Sequence, residues 1–395
     1  MTAPKTNAIK AGQAGAPHPD YEITALVLQG GGALGSYQGG VYEGLVEGGL
    51  QPNWVAGISI GALNAAVIAG NPPQRRVEQL RAFWESICRQ PWLPPTLPVA
   101  ADTAQIPDSW RLLVDSIEAT RALLEGQNGF FVPRPWYSHA LSAPGPHTAS
   151  YYDTRPLRAT LERFVDFDRI NQTHEMRVSV GAVNVRNGNF VYFDNTQRKL
   201  GPEHFMASGA LPPGFPAVEV DGEFYWDGGL VSNTPLQYVL TTPPRRDALI
   251  FQVDLWSAIG PPPKDLLQVA VRQKDIQFSS RTRMITTFMH DVQHYRHLLQ
   301  QLLMLVPESG RSTASYLRAK ELASAVRRNL IHLIYRDKPY ESYHKDYQFG
   351  LLTMNEHWST GLADMQATLQ HSDWLEKPAE EHPFVTHDVH RGRTD

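Results

Sequence analysis

Twice between residues 23 and 69 a short apolar run breaks at glycine and opens into a helix. Residues 23–29 read as a strand, 30–35 as a Gly-rich turn and 36–47 as a helix; 54–58 repeat the strand, Ser59 marks a sharp turn, and a second helix follows. A chain that alternates in this way folds as a mostly parallel sheet with helices on both faces, a three-layer α/β arrangement.

The remaining sequence extends that frame. Helical spacing over 75–89 and 109–124 suggests an insertion or cap near residues 73–150, and the pattern-poor stretch 126–152 a long surface connection of the kind that forms lids. Asn187-Gly188 and Asp221-Gly222 each stand between short strands, two hairpin signals, and 248–255 is a buried-strand run. Residues 266–305 read as mostly helical, 330–335 as the last strand and 355–369 as the last helix. The expected organisation is a leader over 1–20, a catalytic domain over 21–255, and a mostly helical extension over 256–395 packed on it.

The 395 residues, 42% hydrophobic and 19% charged, exclude a disordered chain and a coiled coil. A net charge of −4 provides no overall basic field, so no nucleic-acid partner is expected. The single cysteine, Cys88, excludes an internal disulfide and a Cys-based zinc site, and it reads as a small buried hydrophobe. Residues 1–20 lack the apolar core of a secretory signal and read as a disordered leader. The longest apolar stretch, 55–70, is interrupted by Ser59 and Asn64 and falls short of the roughly 20 residues that cross a bilayer. A cytoplasmic location, with peripheral membrane contact, is expected.

Gly57-Ile58-Ser59-Ile60-Gly61 matches G-x-S-x-G in the context that gives the motif meaning, after a strand and before a helix. The strained turn projects Ser59 from the sheet, and the helix N-terminus adds amide donors that favour negative charge. Gly30-Gly31-Gly32-Ala33-Leu34-Gly35 has two functional readings. As G-x-G-x-x-G it resembles a dinucleotide fingerprint, but the acid expected about 20 residues on, at the end of the second strand, is replaced by Gly57-Ile58-Ser59. As a backbone nest it aims amides at a developing oxyanion. A nucleophilic serine needs a base; Asp227, in Trp226-Asp227-Gly228-Gly229, stands on a glycine turn from which its carboxylate can reach Ser59 directly.

Together these blocks resemble the patatin-like phospholipases, acyl hydrolases built on an elbow and sheet like those of α/β hydrolases but using a Ser-Asp dyad. Gly30-Gly31-Gly32 corresponds to the family's oxyanion loop, residues 57–61 to its elbow, and Asp227-Gly228-Gly229 to its D-G-G block. Residues 207–216, Ala-Ser-Gly-Ala-Leu-Pro-Pro-Gly-Phe-Pro, resemble the A-S-x-A-x-P-x-x-F-P stretch upstream of the dyad aspartate. The resemblance implies a patatin-like fold, Ser59 as nucleophile, Asp227 as base, an oxyanion hole from Gly30, Gly31, Gly32 and Ile60, an acyl-lipid or other ester substrate, and no metal or organic cofactor. Leu34 departs from the Arg or Lys that many relatives carry, which is expected to alter substrate preference. The blocks around Lys274-Asp275-Ile276, Tyr347-Gln348-Phe349 and His357-Trp358 resemble the extension of a bacterial subgroup, whose role the likeness does not supply.

Two readings from other classes remain open at this stage: a catalytically idle lipid-binding or scaffold protein of the same fold, and a nucleotide-binding oxidoreductase. His290, His294 and His297 share a helix face, which we read as solvated rather than metal-binding. The aromatic stretches Trp92-Leu93-Pro94-Pro95 and Phe130-Phe131 to Trp136-Tyr137 suit either a lipid-facing rim or core packing. Arg245-Arg246 and Arg327-Arg328 read as solvated pairs.

Overall fold

The computed structural model describes residues 21–89, 108–135, 145–280, 282–324, 326–338, 340–341 and 343–388. The leader, Trp92 to Pro95, and Trp136 and Tyr137 lie outside these residues. In chain order the elements are β1 (Ile23–Leu28), α1 (Ser36–Glu47), β2 (Trp54–Gly57), α2 (Ile60–Ala69), α3 (Arg76–Ile87), α4 (Asp108–Glu125), β3 (Val132–Pro133), β4 (Tyr152–Asp153), α5 (Arg155–Phe164), α6 (Phe167–Ile170), β5 (Arg177–Asn184), β6 (Phe190–Asp194) and α7 (Pro202–Ser208). They continue with β7 (Val218–Val220), β8 (Glu223–Asp227), α8 (Leu236–Thr241), β9 (Ala248–Asp254), α9 (Leu266–Phe278), α10 (Thr282–Met304), α11 (Ala314–Leu322), β10 (Arg328–Ile334), α12 (Leu351–Leu369) and β11 (Phe384–Asp388).

Nine strands among the described residues form one sheet, ordered β11-β10-β9-β1-β2-β5-β8-β7, with β6 also on β5. The six from β11 to β5 are parallel, while β6, β7 and β8 join by antiparallel hairpin pairing. Alternation along the strands separates two cores. Leu26 and Leu28 of β1 and Phe251 and Val253 of β9 face one, with Tyr37, Leu63, Phe83 and Trp358 from α1, α2, α3 and α12. Ala25, Val27 and Ile250 face the other, covered by Leu236 and Leu240 of α8 and Met289 of α10. Period-two alternation between two helix-covered faces is what defines the three-layer α/β structure.

Both Asx-Gly hairpins form as expected. Three features differ from the sequence reading. β10 is not the last strand: β11, short and polar at its end, pairs beyond it through Leu330↔Thr386. The connection 126–152 is not wholly superficial, because Phe130 and Phe131 are buried against Tyr152 and Phe215, with ring centroids 4.8 Å apart for Phe131 and Tyr152. Those two aromatics therefore pack the core. α3 likewise sinks Leu80, Phe83, Trp84 and Ile87 into the main core instead of standing off as a cap.

The C-terminal stretch is woven into the same body. Its strands β10 and β11 extend the sheet, and α12 lies so close on α1 that a Cβ at Gly40 would strike the Trp358 carbonyl.

Candidate active site

Three loops leave the C-terminal ends of neighbouring parallel strands: Gly30 to Gly32 after β1, Ser59 after β2, and Leu255-Trp256 after β9. This is where open α/β sheets place their sites. Strand register brings in the fourth component. Along one edge β5 pairs with β2, ending at Val180↔Gly57, and then with β8, beginning at Ala182↔Asp227. Asp227 thus sits two residues of β5 beyond the end of β2, about 7 Å along the strand, where the chain has just turned at Ser59.

Ser59 has φ 54° and ψ −123°, a conformation that L-residues rarely adopt and that stores strain in the turn. The flanking glycines permit it by close approach: a Cβ at Gly57 would meet the Gly61 backbone, and one at Gly61 the Leu28 carbonyl. The Ser59 amide donates to Ser208 Oγ at 3.0 Å. The Asp227 carboxylate accepts the Gly229 amide at 2.7 Å, and the Ser59 side chain lies near enough to pull its pKa down. Asp227 is 2% exposed, and burial pushes its carboxyl up to about 7 against the opposing pulls of Ser59 and Gly229. Among the described residues no histidine hydrogen-bonds to either side chain.

Ile60 opens α2 and Gly32, at φ +56°, opens a 3-10 turn. First-turn amides have no intrahelical acceptor, so both are free to serve a ligand oxygen. Gly30 plays a different part from the amide donor expected of it. Its N–H is engaged by the Asn233 carbonyl at 3.2 Å, and its carbonyl accepts both Asn233 Nδ2 at 2.9 Å and Trp256 Nε1 at 2.8 Å. In a trans peptide the C=O and the next N–H point oppositely, so this double anchor fixes the Gly31 N–H on the far side of the plane. Leu34 is fully buried in the main core and offers the site nothing.

The loop is braced from behind. Gln29 Oε1 accepts the amides of Leu255 and Trp256, at 2.6 and 2.9 Å, and Asn64 ties α2 to the Gly35 carbonyl at 2.9 Å. Residues 345–347 press on Gly32, where a Cβ would collide with the Asp346 carbonyl. That strap is held by two crossed ion pairs, Lys274 to Asp346 at 2.5 Å and Lys345 to Asp275 at 2.8 Å. Burial alone would lower the Lys345 pKa, but Asp337 and Asp275 raise it above its ordinary value. Lys274-Asp275, a block singled out in the extension, thereby acquires a structural partner. Ser208, Asn233 and Trp256 had no role assigned from sequence.

Other candidates separate from the site. His290 and His294 are exposed on α10, and no group of three metal-ligating side chains assembles among the described residues. Burial raises the Cys88 thiol pKa, as suits a packing residue. No described helix is long and apolar enough to cross a membrane.

A family model described as patatin-like phospholipase matches residues 26–240, the stretch that carries Gly30, Ser59, Ser208 and Asp227. The chain belongs to the patatin-like phospholipases. A second model, described as patatin phospholipase, matches residues 276–381, so the strap and α12 fall within family sequence as well. No curated protein matches the chain in sequence. Among solved structures it is similar to VipD of Legionella pneumophila (14% identity, TM-score 0.34, covering 94% of this chain and 72% of that one). It is also similar to human GIVD cytosolic phospholipase A2 (12%, 0.36, 89% and 60%) and to the type III effector ExoU of Pseudomonas aeruginosa (16%, 0.31, 91% and 55%). The chain spans less than two thirds of the length of the last two.

Proposed function

We propose that this patatin-like chain is a serine acyl hydrolase, a lipase or phospholipase A-like esterase, with Ser59 and Asp227 as its dyad. The observation that carries the reading is Ser59, at a strained turn that opens a helix, with its side chain close enough to the buried Asp227 carboxylate to lower its pKa. In this mechanism Asp227 takes the Ser59 proton as Oγ attacks the ester carbonyl carbon, and the amides of Gly31, Gly32 and Ile60 hold the negative oxygen. Collapse of the tetrahedral intermediate breaks the bond to the alcohol, which leaves with the proton from Asp227. Water then attacks the acyl-enzyme, Asp227 accepts its proton, and the carboxylic acid departs as Ser59 regains its hydrogen. One oxyanion donor is typically worth about 2.7–4 kcal/mol in such a transition state. Leu230 and Val231, exposed just past Gly229, give the mouth an apolar rim suited to acyl chains.

The chemistry resides in residues 21–255, and residues beyond 255 complete it through Trp256 and the strap. Initial rates on a ladder from short p-nitrophenyl esters to long-chain phosphatidylcholine and lysophosphatidylcholine test the reading. Turnover that vanishes in Ser59→Ala is expected, and the chain length at its maximum identifies the substrate class. Rates at the variant's background throughout would favour a lipid-binding or scaffold protein instead.

A further inference from the structure

Arg245, Arg296 and Arg328 come together from three elements, Arg328 buried and the other two half-buried beside it. Arg328 opens β10 with the parity of Leu330, so it projects toward the α8 and α10 face, and only 2% of it is exposed. Arg296 comes from α10, whose backbone carbonyl there accepts the Ser324 amide at 3.3 Å. Arg245 follows α8 and shares with Gln300, Ser324 and Val326 the wall of an open cavity of about 500 Å³.

Their donors are left over. Arg245 Nε, Arg296 Nη1 and Arg328 Nε are buried without a hydrogen-bond partner among the described residues. Nearby acids are already engaged: Glu321 is tied to Arg318 at 2.8 Å and gives Arg245 only its backbone carbonyl, while Asp247 is held by Arg327 and Lys377. Burial, with mutual repulsion, depresses the pKa of Arg328 to about 10. Asp247 only partly offsets the repulsion at Arg328, and a cluster of like charges around a buried guanidinium persists where an anion compensates it.

We propose that Arg245, Arg296 and Arg328 form a binding site for a phosphate-class oxyanion, separate from the Ser59 centre. Guanidinium forks suit the tetrahedral oxygens of a phosphate monoester or diester, and Ser324 and Gln300 add neutral donors at the cavity wall. The setting favours a lipid headgroup as its source. Just past Arg296 and His297, residues 298–307 carry no charge, and Leu302 and Met304 at the end of α10, with Leu305 just beyond it, are 60–78% exposed. Between Leu266 and Leu322 eight basic residues face four acidic ones, in a chain of net charge −4. An exposed apolar stretch beside a phosphate site, in a segment with an excess of basic residues, matches an anionic bilayer.

The test uses the full-length Ser59→Ala chain, so that hydrolysis plays no part and the proposal stands or falls apart from the dyad. Unfolding is followed in inorganic phosphate against chloride at equal ionic strength, and co-sedimentation with vesicles of phosphatidylcholine, with and without phosphatidylglycerol. Phosphate is expected to raise Tm by several degrees, and Arg296→Gln with Arg328→Gln to remove that rise while folding normally in chloride. Binding to phosphatidylglycerol vesicles that falls on the order of tenfold or more in the same variant assigns a lipid headgroup. Phosphate protection without vesicle binding assigns a soluble phosphorylated ligand. No protection by phosphate and no vesicle binding, or effects that survive the substitutions, would overturn the site.

Discussion

The Ser208 hydroxyl accepts the Ser59 amide at 3.0 Å and donates to the Gly181 carbonyl at 2.7 Å, so one buried side chain ties the strained turn to β5. β5 is also the strand on which β2 and β8 meet, and Ser208 therefore fixes Ser59 to the frame that positions Asp227. Ser208→Ala leaves both backbone groups without that partner. The expected result is a loss of about 1–3 kcal/mol in stability and a drop in kcat of roughly tenfold to a hundredfold with KM little changed. Steady-state kinetics with thermal unfolding checks it; an equal rise in KM would point to substrate binding instead.

Trp256 acts on the oxyanion loop through the Gly30 carbonyl. Trp256→Phe keeps an aromatic ring in the core but removes the indole N–H, freeing one side of the Gly30-Gly31 peptide. A fall in kcat on the order of tenfold is expected, smaller than the ~10²–10³ that loss of a direct donor produces, because Asn233 still holds the same carbonyl. Unchanged turnover would remove Trp256 from the positioning of the loop.

The pH dependence follows from Asp227. As the proposed base it must be ionised, so kcat/KM should rise with pH through about 7 and then level. Stability runs the other way. The folded carboxyl titrates near 7 against an unfolded value near 3.8, so its stabilising contribution is complete below pH 4 and is lost as pH rises through 7. About three pKa units correspond to on the order of 4 kcal/mol. Asp227→Asn should therefore be inactive, and its Tm advantage over the parent chain should grow between pH 4 and pH 8. A Tm difference independent of pH would show that the carboxyl titrates at its ordinary value.

Lys345 is 2% exposed and paired with both Asp275 and Asp337. Removing it strands two carboxylates, one of them buried. Lys345→Met is expected to destabilise the protein by roughly 3–5 kcal/mol and, by loosening the strap on Gly32, to reduce kcat beyond what remaining folded protein explains. Activity per folded molecule, measured well below the variant's Tm, separates the two effects.

What the sequence revealed was local. Ser59, the glycines around it and Asp227-Gly228-Gly229 are legible because turn chemistry is written in adjacent residues, and Asn187-Gly188 and Asp221-Gly222 announced their hairpins for the same reason. Asn233 and Trp256 were silent, and Ser208 stood in the 207–216 block without a role, since their contacts span 203, 226 and 149 residues and exist only once strand order is set. β11 was missed because five residues ending in Thr-His-Asp carry little strand pattern, and their place comes from the open edge of β10. Phe130 and Phe131, within a long connection, suited a rim or the core equally until Tyr152 and Phe215 enclosed them. Arg328 looked like half of a solvated pair, yet strand alternation turns it inward while Arg327 pairs with Asp247.

The most direct test of the dyad is the site and pH dependence of fluorophosphonate labelling, read by intact mass and peptide mapping on the parent chain, Ser59→Ala and Asp227→Asn. The expected result is one adduct on the peptide carrying Ser59, formed at a rate that rises through about pH 7, absent in Ser59→Ala and strongly slowed in Asp227→Asn. An adduct that persists in Ser59→Ala, or full-rate labelling of Asp227→Asn, would contradict it.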